Sequence, residues 1–455
     1  MSERNDKSGT NPAARAARDL VYGVGKTGLS IARYLQRNDR NAIYVDTRRA
    51  PPGLDALRDI VPDAEIYPGA TPDNLLDDVI RIVVSPGISD RDPLLAAARA
   101  RGIEVVSDIQ LFVESARAPF AAITGSNGKS TVTTLLAQMC RAAGKTALAG
   151  ANLGEPALDL LVEAEPDIYI LELSSFQLQR TQQLPAKVAV LLDISADHLD
   201  WHRDEAEYRA AKYRILRDAD CVVINREDPE ARQHVGRSQT CRSFGLDEPR
   251  RRNFGLLERN GEPWLARGDT PLLAVASLAL VGVHNQANAL AALAAGDLLG
   301  LDTDAMVGVL RRFPGLPHRM QLTRRIGNAA YVNDSKATNV AAAIAAIRSI
   351  AGPVVLIAGG QGKGGDFARL ADAVRDKLRA AVLIGEDADA IGAAFAARTA
   401  VSFATSMPDA VQQAAQLARP GDTVLLAPAC ASFDQFDNYM QRGDAFCAAV
   451  EALPS

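Results

Sequence analysis

Short apolar runs alternate with longer amphipathic stretches along the whole chain. Near the start, residues 20–24 predict a strand, 27–36 a helix and 42–45 a second strand. The same order returns later in the chain, with predicted strands at 120–123, 353–358 and 423–426 and a helix over 129–141. Strands that alternate with helices are typical of parallel sheets with helical crossovers. The pattern therefore predicts an α/β fold.

Several of the apolar runs contain no polar position. They include IVV at 82–84, VAVLL at 188–192 and CVVI at 221–224. A parallel strand covered by helices on both faces has this uniform character, so these runs predict buried central strands. The segment 242–268 is charged and irregular, and it predicts surface hairpins and loops.

The length of 455 residues suggests about three domains at roughly 150 residues each. One boundary is predicted near 115–119, just before the strand at 120–123. A second is predicted at 313–317, because the sequence FPGLP is stiff and unsuited to a continuing helix.

Composition restricts the class of protein. The chain has 50 basic and 55 acidic residues, a net charge of −5, which argues against binding held mainly by nucleic-acid phosphates. It has no run of 18 apolar residues, and the first 19 residues lack the apolar core of a signal peptide, so we expect a frayed tail and no membrane insertion. The five cysteines are far apart and form no C-x-x-C pair, which indicates reduced thiols in a cytoplasmic protein.

The strongest motif is TGSNGKST at residues 124–131. It follows a predicted strand and opens a predicted helix, which is the context that a phosphate-binding loop requires. Glycines allow backbone N–H groups to converge on phosphate oxygens, Lys129 would reach the β- and γ-phosphates, and Ser130 would bind Mg²⁺. Position 123 is Ile, so the loop is shorter than G-x-x-x-x-G-K-[ST], and a chance turn before a helix is the alternative.

A second glycine motif, GVGKTG at residues 23–28, lies between a predicted strand and a predicted helix. Asp46 follows at the end of the next strand, about where a ribose-binding carboxylate would lie. The motif fits NAD, another nucleotide or a tight turn without a ligand, and the residues alone leave these three alternatives open.

Polar residues also follow other predicted strands. Glu172 ends one strand, and Asp197 and His198 follow another, so these side chains could hold Mg²⁺ opposite the phosphates, although each could equally be a cap or a surface residue. Lys212 lies on an amphipathic helix, where a lone lysine is usually solvated. His198 and His202 are four residues apart, but their neighbours do not suggest zinc.

Three further loops have the same position after a strand. They are the polar segment 334–339, the glycine-rich segment 359–365 and the segment 427–436. The first suits anion binding or a plain helix cap, and the second permits close approach of a ligand.

Taken together, these residues resemble the Mur ligases, the ATP-dependent amide-forming enzymes of peptidoglycan precursor synthesis. The resemblance covers nearly the whole chain after the tail, with the motifs in the family's order. Those motifs are TGSNGKST (124–131), ANLG (151–154), ELSSFQL (172–178), DHLDWH (197–202), YRAAK (208–212), HNQAN (284–288), LPHR (316–319), NDSKATN (333–339), GGQGK (359–363) and PACASFDQF (428–436).

The resemblance implies an activity and a domain plan. The activity is ATP-dependent ligation of D-glutamate to UDP-N-acetylmuramoyl-L-alanine through an acyl phosphate, by a monomer. The plan is a tail at 1–18, a Rossmann-like domain at 19–115 for the UDP substrate, a central P-loop ATPase-like domain with a mostly parallel sheet at 116–315, and a Rossmann-like domain at 316–455 for glutamate. In this family the first domain binds UDP and uses no NAD.

The resemblance also assigns roles to residues. Catalysis would use Lys129, Glu172, His198, Lys212 and Lys336. Two Mg²⁺ ions would be held by Ser130, Glu172, His198 and Lys212, the last as a carbamate. ATP would contact Gly125, Ser126, Asn127, Gly128, Lys129, Ser130, Thr131, Asn285, Asn288, Arg319 and Asp334. The other substrates would contact Thr27, Asp46, Thr47, Arg48, Ser85, Pro86, Gly87, Asn152, Thr338, Lys363, Ser432, Phe433 and Tyr439.

Two positions depart from the family pattern, because Gln361 replaces an expected Asp and Tyr439 replaces an expected Phe. Both flank the proposed amino-acid pocket, so a ligase that adds L-glutamate to the same acceptor is the nearest alternative. An NAD-dependent oxidoreductase built on the glycine motif at 23–28 would leave the phosphate loop at 124–131 without a role. A non-catalytic nucleotide-binding module would not need all five catalytic candidates.

Overall fold

A computed structural model describes residues 18–72, 74–162, 164–195, 201–280, 282–362, 364–396 and 399–454. The chain divides into two compact units. The first unit comprises Met1–Gly255, Arg267–Asp269 and Leu290–Met306, and the second comprises Leu256–Ala266, Thr270–Ala289 and Val307–Ser455.

The first unit begins with a five-stranded parallel sheet in the order β3-β2-β1-β4-β5. Four helices alternate with or follow its strands, as the hydrophobic pattern predicts. The elements are β1 (Arg18–Tyr22), α1 (Lys26–Arg37), β2 (Ala42–Asp46), α2 (Leu54–Ile60), β3 (Glu65–Pro68), β4 (Val79–Val84), α3 (Pro93–Ala100), β5 (Glu104–Ser107) and α4 (Asp108–Ser115).

The first unit continues with a second parallel sheet, whose strands run in the order β11-β10-β9-β6-β8-β7. Its elements are β6 (Phe120–Thr124), α5 (Lys129–Ala142), β7 (Ala147–Ala151), β8 (Ile168–Glu172), α6 (Ser175–Gln179), β9 (Val188–Leu191), α7 (Glu205–Tyr213), β10 (Cys221–Asn225) and β11 (Thr240–Phe244). Short 3-10 turns lie at Ala157–Val162, Arg214–Leu216 and Ala231–His234.

The chain then forms short neighbouring strands and two helices. These are β12 (Phe254–Arg259), β13 (Glu262–Arg267), β14 (Thr270–Ala274), α8 (Val283–Leu298) and α9 (Thr303–Arg312), with a 3-10 turn at Val275–Ser277.

The second unit contains a six-stranded sheet in the order β15-β16-β20-β17-β18-β19, parallel except for the edge strand β15. Its elements are β15 (Gln321–Ile326), β16 (Ala329–Asn333), α10 (Val340–Ser349), β17 (Val354–Gly359), α11 (Phe367–Val374), β18 (Leu378–Ile384), α12 (Ala388–Phe395), β19 (Ala400–Phe403), α13 (Met407–Leu417), β20 (Thr423–Leu426) and α14 (Tyr439–Glu451).

The two sheets of the first unit share one apolar core. Phe112 of α4 packs edge-on against Phe120 of β6 and Tyr169 of β8, with ring centroids 6.0 and 5.1 Å apart. All three rings belong to one buried cluster that also contains Val21 of β1. One continuous apolar core therefore joins the two sheets of this unit.

The structure confirms the fold class predicted from the sequence, three α/β parts with mostly parallel sheets. The uniformly apolar runs form the buried strands β4, β9 and β10. The exact domain boundaries remain a prediction. No helix in the described part of the chain is long and apolar enough to cross a membrane.

Two local expectations need correction. Arg18, assigned to the tail, is the first residue of β1 and its backbone N–H donates to Asp78 O at 3.0 Å; residues 1–17 lie outside the described ranges. The segment 242–268 was expected to be surface hairpins and loops, and residues 242–244 instead complete β11, which pairs in parallel with β10. The rest of the segment contains β12 and β13, neighbouring strands separated by two residues, in agreement with the expected hairpin.

Candidate active site

The phosphate loop lies between β6 and α5, as the sequence predicts. Gly128 caps α5 with a φ of +78°, a left-handed conformation that favours glycine. A Cβ atom at Gly125 would lie 2.7 Å from the Cβ atom of Leu192, so this position also requires glycine. The loop backbone therefore lies against the end of the sheet and leads directly into the N-terminus of a 14-residue helix, where anions are favoured.

The Lys129 ammonium group lies across this loop. Its Nζ donates to the carbonyl oxygens of Gly125 at 2.7 Å and Ser126 at 2.9 Å. An ionised phosphate oxygen is a stronger acceptor than a carbonyl oxygen. The amine is thus in place to exchange these bonds for contacts to a phosphate group.

Asp193 lies just after β9 and supports the phosphate loop. Sequence analysis did not identify this residue. Its backbone oxygen accepts from Ser126 N at 2.7 Å, and its carboxylate accepts from Asn127 N at 3.0 Å and Asn127 Nδ2 at 2.9 Å. The only signal in the sequence was its position directly after the apolar run that forms β9. We conclude that Asp193 fixes the loop conformation.

Glu172 ends β8, the strand that neighbours β6, and pairs with Ile123 just before the phosphate loop. The residue is 2% exposed. One carboxylate oxygen, Oε1, accepts from Asn152 Nδ2 at 2.6 Å, whereas Oε2 is buried without a hydrogen-bond partner among the described residues. A buried carboxylate oxygen that lacks a donor is costly unless a cation binds it.

Lys212 is buried, with 2% exposure, and the solvated alternative considered for it is wrong. Its Nζ donates to Gly125 O at 2.8 Å and lies 4.7 Å from the centre of the Tyr208 ring. Helix α7 thus delivers this amine to the phosphate loop. Tyr208 on the same helix also reaches the loop, because its hydroxyl is 2.8 Å from Ser126 Oγ.

Asp197 and His198 lie outside the described residues, so the proposed metal role of His198 stays a prediction. The next segment is well defined. His202 is fully buried, its Nε2 is 3.0 Å from Ser175 Oγ, and its ring packs on Phe176 and Tyr208. These contacts give His202 a structural role beside α6.

The glycine turn at residues 23–28 is as tight as its sequence indicates. A Cβ atom at Gly28 would lie 2.1 Å from Gly23 O, and Gly23 has a φ of +100°. Ser85, directly after β4, donates from its hydroxyl to Gly23 O at 2.9 Å. The 85–87 loop therefore lies against the turn, and Thr27 is half-buried in the first turn of α1.

Asp46 is buried at the end of β2 and both of its carboxylate oxygens are used by the protein. Val24 N donates to Oδ2 at 2.7 Å, and the Arg48 guanidinium donates to Oδ1 and Oδ2 at 2.8 Å each. Burial raises the pKa of Asp46, but the bonds from Arg48 and Val24 outweigh it and hold the pKa below its usual value. Thr47 and Arg48 are exposed and remain accessible to a ligand.

In the second unit, the loop after β16 carries Asp334 and Lys336. Burial raises the pKa of Asp334 to about 6, although Met320 N and Arg319 act in the opposite direction. Lys336 Nζ lies 4.2 Å from the centre of the Tyr439 ring. Tyr439, one of the two departures from the family pattern, therefore keeps an aromatic face against the lysine.

The remaining candidates of this unit lie on several elements. Asn288 Nδ2 donates to Asn285 Oδ1 at 3.1 Å on the buried side of α8. Ser432 is buried, Thr338 is half-buried, and Phe433 is 64% exposed. Lys363 lies outside the described residues, while Gln361 forms a backbone bridge with Ala431.

Arg442 is a further residue that sequence analysis did not identify. It lies on α14 and is 1% exposed. Its guanidinium donates to Ser335 Oγ at 3.0 Å and Ser335 O at 2.9 Å, and to Cys430 O and Ala431 O at 3.1 and 3.2 Å. It thereby ties together the loops after β16 and β20, and burial lowers its pKa to about 10.

Comparison with known proteins gives three family matches in chain order. Residues 17–107 match the Mur ligase MurD-like N-terminal domain, 123–296 the Mur ligase middle domain and 318–430 the Mur ligase glutamate ligase domain.

Curated relatives extend over almost the whole chain. The UDP-N-acetylmuramoylalanine–D-glutamate ligase of Pseudomonas fluorescens (strain Pf0-1) is 48% identical over 438 residues, covering 95% of this chain and 98% of that protein. The protein of the same name from Legionella pneumophila (strain Paris) is 46% identical over 442 residues, covering 95% and 99%.

Solved structures show the same fold at lower identity. UDP-N-acetylmuramate-alanine ligase MurC from Thermotoga maritima has a TM-score of 0.59 at 18% identity, covering 96% of this chain and 99% of that one. A folylpolyglutamate synthase from Mycobacterium tuberculosis, complexed with ADP and AMPPCP, has a TM-score of 0.56 at 18% identity, covering 74% and 92%. With relatives of nearly half-identical sequence along its length and a matching domain series, the chain belongs to the Mur ligase family.

Proposed function

We propose that this protein is an ATP-dependent ligase that joins D-glutamate to UDP-N-acetylmuramoyl-L-alanine in peptidoglycan precursor synthesis. Relatives named for this reaction align with 95% of the chain. The observation that carries the proposal is the meeting of Glu172 and Lys212 with the phosphate loop at the carboxyl end of one parallel sheet. Ligand sites of open α/β sheets lie at this end.

The proposed reaction has two steps. The carboxylate of the alanine residue attacks the γ-phosphorus of ATP, which releases ADP and forms an acyl phosphate. The amine of D-glutamate then attacks the acyl carbon, inorganic phosphate leaves, and the amine loses a proton as the amide forms. Anionic groups approach each other in both steps, so cationic side chains contribute much of the catalysis.

The phosphate loop would bind ATP. Lys129, Ser130 and Thr131 at the N-terminus of α5 would contact its phosphates, together with Gly125, Ser126, Asn127 and Gly128. Asn285, Asn288, Arg319 and Asp334 would contact the rest of the nucleotide. Lys336, held over an aromatic ring, would stabilise the transferred phosphoryl group.

The donor set beside the loop fits Mg²⁺. Glu172 presents a buried carboxylate oxygen without a partner among the described residues, and Mg²⁺ prefers oxygen ligands. One ion would be held by Ser130 and a second by Glu172, His198 and a carbamylated Lys212. When bound, Mg²⁺ neutralises charge on the phosphates.

Different parts of the chain would bind the UDP-linked acceptor and D-glutamate. Thr27, Asp46, Thr47, Arg48 and the 85–87 loop would bind the UDP group, and Asn152 would contact the acceptor. Thr338, Lys363, Ser432, Phe433 and Tyr439 would form the glutamate pocket. We further propose that the protein works as a monomer in the cytoplasm.

The test is ATP-dependent phosphate release, measured with the UDP-linked acceptor and with D-glutamate or L-glutamate offered separately. We expect turnover with D-glutamate, and a kcat/KM for L-glutamate at least about tenfold lower, since each unpaired buried polar group costs about 1–3 kcal/mol. A tenfold preference for L-glutamate would assign the protein to the alternative ligase, and absence of turnover with both would refute the proposal.

A further inference from the structure

Arg180 is a buried arginine at the C-terminal end of α6, with 1% of its side chain exposed. All three hydrogen bonds described for its guanidinium go to the segment that follows β4. Nε donates to Asp90 Oδ1 at 3.0 Å, Nη1 to Ser85 O at 3.4 Å and Nη2 to Ile88 O at 2.5 Å. One side chain thus spans from the second sheet of the first unit to a loop of the first sheet.

The loop that Arg180 holds includes residues 85–87, which we propose to bind the UDP group. Ser85 bonds through its hydroxyl to Gly23 O, and its backbone N–H donates to Tyr22 O at 2.9 Å. A Cβ atom at Gly23 would lie 2.8 Å from the Cβ atom of Ser85, so the loop and the glycine turn are in direct contact. A shift of the loop would change the shape of this site.

The backbone of Arg180 belongs to the helical segment that follows Glu172. Helix α6 begins after Ser174, whose side chain accepts from Gln177 N in a capping box two residues beyond Glu172. The Arg180 guanidinium also lies 5.4 Å from the centre of the Trp201 ring, within cation–π range. Arg180 therefore belongs to the segment that follows Glu172 and contacts Trp201 as well as the segment after β4.

The charge of Arg180 is compensated within this arrangement. Burial lowers the pKa of the guanidinium, and Asp90 offsets part of that change. Burial also raises the pKa of Asp90, but Arg180 and Arg99 together hold it below its usual value. A guanidinium group is protonated in proteins, so the bonds from Arg180 to the loop of residues 85–88 (the 85–88 loop) are charge-assisted.

We infer that Arg180 is a positioning residue for the UDP-linked substrate. Arg180 fixes the 85–88 loop relative to the segment after Glu172. It thereby sets the distance between the UDP group of the bound acceptor and the point where the carboxylate of the same acceptor reacts. This inference rests on the proposed function and deepens it. Geometry matters here because a misplacement of about 1 Å can cost on the order of 10²-fold in rate.

Arg214 offers a matched control. Its guanidinium donates to Leu178 O at 2.9 Å and Thr181 O at 2.7 Å, so it holds the same short helix and its bonds stay within the second sheet's part of the unit. Arg180→Met and Arg214→Met each remove a partly or fully buried guanidinium, but only the first releases the 85–88 loop.

The experiment measures kcat and KM for each substrate in the full chain, and separately the affinity for UDP by calorimetric titration. We expect Arg180→Met to raise the acceptor KM and the UDP dissociation constant by about tenfold or more, through lost preorganisation, with the ATP KM changed less than about twofold. Arg180→Lys should give an intermediate acceptor KM, because an ammonium group cannot reproduce the planar fork. Arg214→Met should leave the acceptor KM within about twofold of wild type.

An unchanged acceptor KM and UDP affinity in Arg180→Met would overturn the inference, as would an equal rise in Arg214→Met. If Arg180→Met does not fold, the same comparison is made with Arg180→Lys, where a wild-type KM overturns it. A wild-type protein without ligase turnover refutes the proposed function instead, and the UDP titration then still tests the role of Arg180.

Discussion

Removal of the Lys212 amine gives the sharpest test of the proposed site. Two substitutions distinguish the effect of losing the amine from the effect of losing buried side-chain volume. Lys212→Met keeps most of the buried side-chain volume and removes the amine. Lys212→Ala removes the amine and leaves a cavity beside the phosphate loop. The Gly125 oxygen that accepts from Lys212 also accepts from Lys129 Nζ, so neither substitution leaves this carbonyl without a donor.

The two substitutions should differ in stability. Both lose a charge-assisted hydrogen bond, worth about 1.5–3 kcal/mol. Alanine also removes buried methylene groups, each worth about 0.8 kcal/mol, so its free energy of unfolding should fall by roughly 2 kcal/mol more. Urea denaturation of each variant measures this difference.

Activity should fall by about 10²-fold or more in both variants, if the lysine carries an anion that the transition state requires. A short carboxylic acid added in solution should restore part of the rate in Lys212→Ala, where the cavity admits it, but not in Lys212→Met, where the methionine fills the space. The assay is phosphate release at saturating substrates. A folded Lys212→Met with near-normal kcat would refute the catalytic role.

Three further outcomes are expected. Lys129→Ala should lower kcat by about 10²-fold or more while circular dichroism shows a folded protein, because a charge-assisted contact to phosphate is lost; near-normal turnover would contradict the ATP assignment. Asp108 is buried, and this burial raises its pKa to about 6, which the Gln177 amide only partly offsets. The native state thus holds this proton more tightly than the unfolded chain, so the contribution of Asp108 to stability should fall as pH rises from about 4 to 6, and the stability of Asp108→Asn relative to wild type should increase across the same range in urea unfolding. A constant difference would contradict that account. Thr27→Ala and Arg48→Ala should weaken UDP binding in a calorimetric titration while NAD gives no signal, and tight NAD binding that Asp46→Ala abolishes would instead favour the oxidoreductase alternative.

The sequence predicts much of the fold because its determinants are local. Runs such as 82–84 are apolar at every position, as is typical of a parallel strand covered on both faces. The phosphate loop is equally local, since its glycines, Lys129 and the following helix are consecutive. The ordered motifs then identify the family even where a single motif, such as residues 23–28, fits several ligands.

The rest of the site depends on contacts between distant residues. Helical periodicity places Lys212 on α7, but only the packing of α7 against the end of β6 decides that the amine is buried. Arg180 bonds to groups 90 or more residues away, and no spacing rule in the sequence reveals such partners. Asp193 acts through its backbone as much as its carboxylate, and backbone bonds have no residue signature.

The bonds of Arg442 have a consequence for the timing of folding. Ser335 lies 107 residues before the guanidinium that holds it. At a synthesis rate of about 5–20 residues per second, the loop after β16 waits roughly 5–20 s for this partner on the ribosome. Once β20 has been made, Ala429 N can donate to Ala337 O and join the loops that carry Lys336 and Ser432, but the four bonds from Arg442 form only after α14 has been made. We therefore expect the loops after β16 and β20 to reach their final arrangement only after α14 has been made, later than the sheets of the first unit.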